Sequence, residues 1–145
     1  PYTPENEANV NALEEILNIK LIEEIREKES GVYGIGASGT LSKHPVPRYQ
    51  FAIGYGTNPG RVDELGQKTL AIIEGIKTSG PDPKDLEKFK AEARRALEVQ
   101  QRENRYWLSR LSSAYENGEN PKDILRAQAL IDGVTAASVK AMAQK

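Results

Sequence analysis

The first part of the chain places apolar and polar residues with the period of an amphipathic helix. From Val10 to Ile25, apolar side chains recur every three or four positions and form one stripe. Thr3 is placed to cap the N-terminus, since it precedes a proline, which helices accept at their first position. A Ser-Gly pair after Glu29 is a typical stop signal. The pattern predicts a helix over residues 4–29.

The next two apolar segments change to a period of two. Both are short and carry aromatic and β-branched residues, and the sequence KHPVP separates them. In the second segment, small or polar residues alternate with Tyr49, Phe51, Ile53 and Tyr55. We expect two antiparallel strands over residues 31–41 and 47–57, joined by a proline-containing turn.

Helical spacing returns in the rest of the chain. The longest run ends at an Asn-Gly pair and, if unbroken, forms a helix of about 50 Å. If the run bends, we expect the bend near residues 101–104, where the run is entirely polar. The predicted helices cover residues 61–78, 83–117, 121–132 and 136–144.

These elements predict an α+β fold in which several helices, one of them very long, cover an antiparallel strand pair. An isolated strand pair is only marginally stable, so we expect this pair to belong to a larger sheet whose other strands lie outside the sequence. The length suits one domain with a core. Residues 1–145 are therefore expected to form a single partial domain.

The composition narrows the possible functions. Twenty basic and 21 acidic residues give a formal net charge of -1, which argues against a broad nucleic-acid-binding face. No apolar run is long enough to span a bilayer. The sequence has no cysteine and one histidine, His44, which is expected on an exposed turn. A catalytic zinc site usually needs three protein ligands, mostly histidines, so this chain can hardly build one alone.

Gly34, Gly36 and Gly39 have the G-x-G-x-x-G spacing of a nucleotide-binding loop. Such a loop needs a strand before it and a helix opening after it. Here a predicted helix precedes the glycines, and the two prolines that follow prevent a helix from starting. We therefore interpret these glycines as part of a strand that allows a bulge or a close approach of another segment.

The segment LIEEIREKESGVYGIGAS resembles a signature of the insulinase/pitrilysin family of zinc metallopeptidases. In the non-catalytic, C-terminal half of that family, an arginine late in a helix precedes by seven residues a tyrosine at the start of a strand. The matching positions are Arg26 and Tyr33, with Gly31 just before the strand. The segments YTPEN and GPDPKDLEKFKAEARRALE also resemble the family pattern, so the resemblance covers nearly the whole chain.

The resemblance implies a definite role. Members of the family have two similar halves, each a pair of α+β domains, that close around an internal chamber. The N-terminal half binds zinc through His-x-x-Glu-His and a distant glutamate. By resemblance, Arg26 and Tyr33 face that zinc site and hold the substrate main chain, and the Tyr33 hydroxyl stabilises the oxyanion of the tetrahedral intermediate.

The sequence also departs from the family. It has no His-x-x-Glu-His motif, and it lacks the family's strands before the first helix and after the last. We therefore expect part of the fourth domain of a large peptidase, inactive alone and without a cofactor, the zinc being bound by the catalytic half. The expected partners are that half, fused or separate, and a peptide substrate. The most similar members are bacterial enzymes of the cell envelope, which implies a periplasmic location.

Other interpretations stay open at this point. Arg26 can simply complement the dipole of its helix, and Tyr33 can be a core or cross-strand residue. Related halves also serve as structural or regulatory subunits of other assemblies. A stand-alone α+β module would instead bind a protein partner through an exposed strand edge, and such an edge also creates a risk of self-association.

Overall fold

The computed structural model describes residues 2–29 and 32–145. It confirms the α+β class: within these residues, six α-helices accompany a two-stranded antiparallel sheet. The predicted start of the first strand at Gly31 lies outside the described residues. The helices are α1 (Pro4–Leu21), α2 (Val62–Ser79), α3 (Pro83–Gln100), α4 (Asn104–Glu116), α5 (Ala127–Asp132) and α6 (Ala136–Ala143), and the strands are β1 (Val32–Ser42) and β2 (Arg48–Thr57).

The first helix does not keep α geometry to its end. Thr3 caps α1 by accepting a hydrogen bond from the backbone N–H of Asn6 at 3.0 Å. A π-helical turn, Ile22–Arg26, follows α1 directly. The prediction of one regular helix over residues 4–29 is therefore wrong in its last two turns, where a wider turn includes one extra residue.

The long helix predicted over residues 83–117 is two helices, α3 and α4. Glu103 has an extended backbone, with φ -96° and ψ 127°, and interrupts the helical path. The Trp107 indole N–H donates to the Gln101 carbonyl at 2.8 Å and gives this helix end a hydrogen-bond partner. The break falls in the all-polar segment, where no apolar side chain anchors a continuous helix to the core. Short 3-10 turns, Pro59–Arg61 and Pro121–Arg126, lead into α2 and α5.

The core lies between α1 and one face of the sheet, and α2, α3 and α6 close it. The burial of each large apolar side chain contributes about 1.5–3 kcal/mol. An ion pair between Lys20 and Asp85, 3.0 Å apart, joins α1 to α3 beside this core, and the Asp85 carboxylate raises the pKa of Lys20. The fully buried large side chains are Ile16, Leu21, Ile25, Leu65, Val134 and Val139.

The strand pair has one core face and one open face. Phe51, Ile53 and Tyr55 pack against the core, whereas the alternate residues of β2 are exposed. This is the period-two pattern of a sheet covered by helices on one side only. No helix in the described ranges is long and apolar enough to cross a membrane.

Candidate functional site

Arg26 is the last residue of the π-helical turn. Glu27 N–H donates to Ile22 O, five residues earlier, at 2.9 Å, which accommodates one more residue than an α-turn. Ile25 is fully buried, and the next side chain, Arg26, is exposed. Lys20 and Lys28, which flank Arg26 in the sequence, both form ion pairs, but Arg26 forms none with any residue that the structure describes. The turn thus presents a cation that is available to a ligand.

Tyr33 lies in a β-bulge at the start of β1. The ladder pairs Val32 with Thr57 and Gly34 with Gly56, so Tyr33 is an extra residue on its strand. Bulges re-aim a side chain and are common beside active sites. The Tyr33 side chain is 79% exposed. A Cβ added to Gly56, on the neighbouring strand, would lie 3.9 Å from Tyr33 Cβ, which is an ordinary van der Waals contact.

The structure brings the elements that carry Arg26 and Tyr33 together. The π-helical turn packs directly against β1. Each of the two residues therefore lies at a one-residue irregularity, one in a helix and one in a strand. Both side chains are exposed, which argues against a core role for Tyr33. His44, by contrast, lies on the exposed turn between the strands, at the other end of the hairpin from Tyr33.

An ion-pair network surrounds Glu29, three residues after Arg26. Glu29, which follows the π-helical turn, accepts from the Arg61 guanidinium at 2.7 Å and from the Lys68 ammonium. The same two cations bind Glu64 at 3.2 Å and 2.8 Å. The network therefore ties the end of the first helical segment to the start of α2.

The electrostatics of this network favour its ionised form. Hydrogen bonds from Arg61 and Lys68 lower the pKa of Glu64 to about 2. Lys68 and Arg61 also hold the pKa of Glu29 below its usual value. Glu29 is the more enclosed of the two carboxylates, since its side chain is 19% exposed against 49% for Glu64. All four groups are thus charged at neutral pH.

Sequence reasoning missed Glu29, Arg61, Glu64 and Lys68. The spacing of Glu64 and Lys68 could have predicted their ion pair, because opposite charges four residues apart on a helix interact. Nothing local to the sequence indicates the contact between Glu29 and Arg61, which are 32 residues apart.

The three spaced glycines lie within β1, as predicted, and not in a loop before a helix. Gly39 has a packing role: a Cβ at this position would lie 2.8 Å from both the Phe51 ring and Val10 Cγ1. Val10 is on α1, so the glycine permits a close approach of helix and strand.

The residues that the structure describes contain no group of three or more His, Cys, Asp or Glu side chains able to hold a metal ion. Arg26 is also unsuited to binding a metal ion, since its guanidinium is a permanent cation. The arrangement is suited to donating hydrogen bonds to a ligand that carries oxygen acceptors.

Comparison with known families decides the identity of the chain. Residues 1–93 match the family model described as the peptidase M16 inactive domain. The chain belongs to the M16 peptidase family. The resemblance to zinc metallopeptidases inferred from the sequence is thereby confirmed, including its assignment to a non-catalytic domain.

Individual relatives agree with this assignment. The chain is 30% identical over 135 residues to a probable zinc protease, PqqL of Haemophilus influenzae, and this match covers 93% of the chain. Its fold is similar to that of the periplasmic protease PqqL from Escherichia coli, with a TM-score of 0.83 over 99% of the chain at 18% identity. A mutant of the ferredoxin protease FusC, solved in complex with Arabidopsis ferredoxin, has a TM-score of 0.82 over 99% of the chain at 24% identity.

The chain is much shorter than these proteins. It spans 14% of the Haemophilus protease and 16% of each of the two solved proteases.

Proposed function

We propose that this chain is the substrate-binding part of the non-catalytic half of a zinc-dependent endopeptidase. In this role Arg26 and Tyr33 hold the main chain of a peptide substrate. The Tyr33 hydroxyl also donates to the oxyanion of the tetrahedral intermediate, from the side opposite the zinc site. Zinc is bound by the catalytic half, fused or separate, which is the principal partner, and this chain alone is inactive.

One observation supports the proposal above all others. Arg26 and Tyr33 are both exposed, they belong to elements that pack together, and each lies at a one-residue irregularity of its element. Irregular backbone of this kind persists where the direction of a side chain matters. A purely structural pair would need neither the exposure nor the two interruptions.

The chemistry of the two side chains suits an extended peptide. A guanidinium presents several donors in a fixed plane, which matches the carbonyl oxygens of a peptide main chain. A phenol O–H donates to developing negative charge, and one such donor in place contributes about 3 kcal/mol to transition-state stabilisation. The open face of the sheet beside Tyr33 is lined by small residues of both strands, such as Gly34 and Gly54, and leaves room for a peptide.

We assign the larger protein to the periplasm. The name of the solved relative from Escherichia coli describes a periplasmic protease, and the chain has the same fold over 99% of its length. Fractionation of cells that express the full-length gene tests the compartment directly.

The proposed role is tested by kinetics of the full-length peptidase on a fluorogenic peptide. Tyr33→Phe removes only the donor hydroxyl and should lower kcat by about 100-fold with little change in KM. Arg26→Ala should raise KM, and Arg26→Lys should recover only part of the loss because lysine cannot present a planar set of donors. Tyr49→Phe and Arg105→Ala, two exposed positions on other elements, serve as matched controls.

Wild-type kinetics for both Tyr33→Phe and Arg26→Ala would contradict the proposal. That result would favour a scaffold role for the domain in the same assembly. An equal effect of the control variants would show that the losses reflect general damage and not the loss of two ligand contacts.

A further inference from the structure

The start of α2 is bonded to both elements of the candidate site through two adjacent residues. The Arg61 guanidinium, at the N-cap of α2, donates to Glu29 at 2.7 Å, three residues after Arg26. The backbone carbonyl of the next residue, Val62, accepts a hydrogen bond from the Tyr55 hydroxyl at 3.0 Å. One contact therefore reaches the helical segment that carries Arg26, and the other reaches β2, the strand that pairs with β1.

Tyr55 lies close to the β-bulge. It opposes Ile35, which is two residues after Tyr33, and the residue after it, Gly56, opposes Gly34. The Tyr55 ring packs against the core, and its hydroxyl is bonded to α2. Tyr55 thus anchors β2 to α2 beside the point where the ladder is interrupted.

The sequence of α2 leaves room for this contact. Gly66 lies one helical turn after Val62, in a helix interior, where glycine is unfavourable in comparison with alanine. Outside the backbone of α2 itself, the nearest described atom to a Cβ added at this position is the Tyr55 hydroxyl oxygen, at 3.4 Å. A side chain longer than that of alanine would compete with the phenol for the space over the Val62 carbonyl. The approach of Tyr55 therefore explains the glycine.

The middle of β1 is held in another way. The Asn18 side chain, on α1, accepts from the N–H of Ala37 at 2.7 Å and donates to its C=O at 3.1 Å. These bonds lie four residues after Tyr33. At Tyr33 itself the ladder is interrupted, so the direction of this side chain depends on how the facing strand is held.

We propose that Tyr55 is a positioning residue for the peptidase reaction. Through its hydrogen bond to Val62 it fixes β2 beside the bulge, and so sets the position of the Tyr33 hydroxyl relative to Arg26. The inference rests on the role in oxyanion stabilisation proposed above for Tyr33. An oxyanion donor acts only at hydrogen-bond distance, about 2.7–3.1 Å, so a small shift of β2 weakens catalysis before it affects folding.

A purely structural role for Tyr55 is the alternative, because its ring also packs against the core. The two roles predict different kinetics. A structural loss lowers the amount of folded enzyme, and therefore reduces the rate by the same factor whether or not position 33 carries a hydroxyl. A positioning role acts through the Tyr33 hydroxyl and disappears when that hydroxyl is absent, since residues that act as a unit are not additive.

The test is a double-mutant cycle in the full-length peptidase, with kcat and KM measured on a fluorogenic peptide. Tyr55→Phe keeps the ring and removes the hydrogen bond. It should lower kcat by roughly three- to tenfold with little change in KM, because the Tyr33 hydroxyl acts in the transition state. In the Tyr33→Phe background, the same substitution should change kcat by less than about twofold. Tyr49→Phe, which removes an exposed hydroxyl at the other end of β2, is the matched control and should be silent in both backgrounds.

A second variant reaches the same contact from α2. Gly66→Leu should displace the phenol from the Val62 carbonyl and lower kcat by a similar factor, again only where position 33 is tyrosine. Its control is Gly75→Leu, at an exposed position of the same helix where nothing lies within 4 Å of an added Cβ. This control should change kcat by less than about twofold.

Wild-type kcat for Tyr55→Phe would overturn the inference. So would an equal loss in the two backgrounds, which would assign a structural role to Tyr55, or equal losses from Gly66→Leu and Gly75→Leu. Wild-type kinetics for Tyr33→Phe alone would instead contradict the proposed oxyanion role, and the inference would fail with it.

Discussion

The Arg61 guanidinium lies 2.7 Å from Glu29 Oε2 and joins the start of α2 to the end of the first helical segment, three residues after Arg26. Glu29 also binds Lys68, so two cations hold one carboxylate. Arg26 lies at the end of the π-helical turn just before Glu29, and Tyr33 lies at the β-bulge of β1. The network therefore lies where a small shift of the backbone would change the geometry of the candidate site.

Glu29→Gln should lower the activity of the peptidase, although Glu29 is not one of the two residues of the candidate site. The amide keeps the size of the side chain but loses the charge that binds Arg61 and Lys68, so the end of the first helical segment, near Arg26, is held less firmly. Displacements on the order of 1 Å can cost about 100-fold in rate, and we expect a roughly tenfold loss of kcat/KM in the full-length peptidase. Glu24→Gln, which breaks the exposed pair with Lys28, is the control and should be nearly silent. Equal kinetics for the two variants would rule out a positioning role for Glu29.

The stability of the chain should depend on pH through Glu64. Its pKa is about 2 in the folded state against an ordinary value of 4.5, because Arg61 and Lys68 stabilise the carboxylate. Protonation is therefore easier in the unfolded chain, so the contribution to stability is complete above pH 4.5 and is lost as the pH falls towards 2. Urea unfolding at a series of pH values should show this decline. In Glu64→Gln the slope between these limits should be smaller, and an unchanged slope would show that the carboxylate is not coupled to folding.

Much of the fold could be predicted because it depends on periodicity. The apolar stripe of α1 and the alternation in β2 are local patterns, and the core uses the same side chains, such as Ile16 and Phe51. The break between α3 and α4 was predictable only in part. A polar segment permits an interruption, but the extended backbone of Glu103 and the bond from Trp107 to Gln101 arise from packing.

The candidate site could be predicted only as a pair of residues. A π-turn and a β-bulge each add one residue to a regular element, and the bulge leaves only a small trace in the sequence, the three-residue spacing of Val32 and Ile35, which both pack against the core. The ion pairs of Glu29 and the hydrogen bonds of Asn18 join residues that are 19 or more positions apart. Such contacts follow from how helices and strands pack, so no local spacing indicates them.

Asn18→Ala should destabilise the chain by about 1–3 kcal/mol. The substitution leaves the N–H and the C=O of Ala37 without their side-chain partner in a partly buried position, and an unpaired backbone group is costly. The free energy of unfolding from urea titration measures the loss. Asn11→Ala, at an exposed position of the same helix, should change it by no more than about 0.5 kcal/mol. Equal values for the two variants would show that Asn18 does not support the edge of β1.

Gly39→Ala tests whether the glycines of β1 serve packing. A Cβ at position 39 would lie 2.8 Å from the Phe51 ring and from Val10 Cγ1, so these two packed side chains would have to shift. Overpacking of this kind costs about 1–3 kcal/mol of unfolding free energy. Gly54→Ala, on the facing strand, meets nothing within 4 Å and should change stability by less than about 0.5 kcal/mol. If the two variants were equally stable, the close contact of α1 with β1 would not be what requires glycine at position 39.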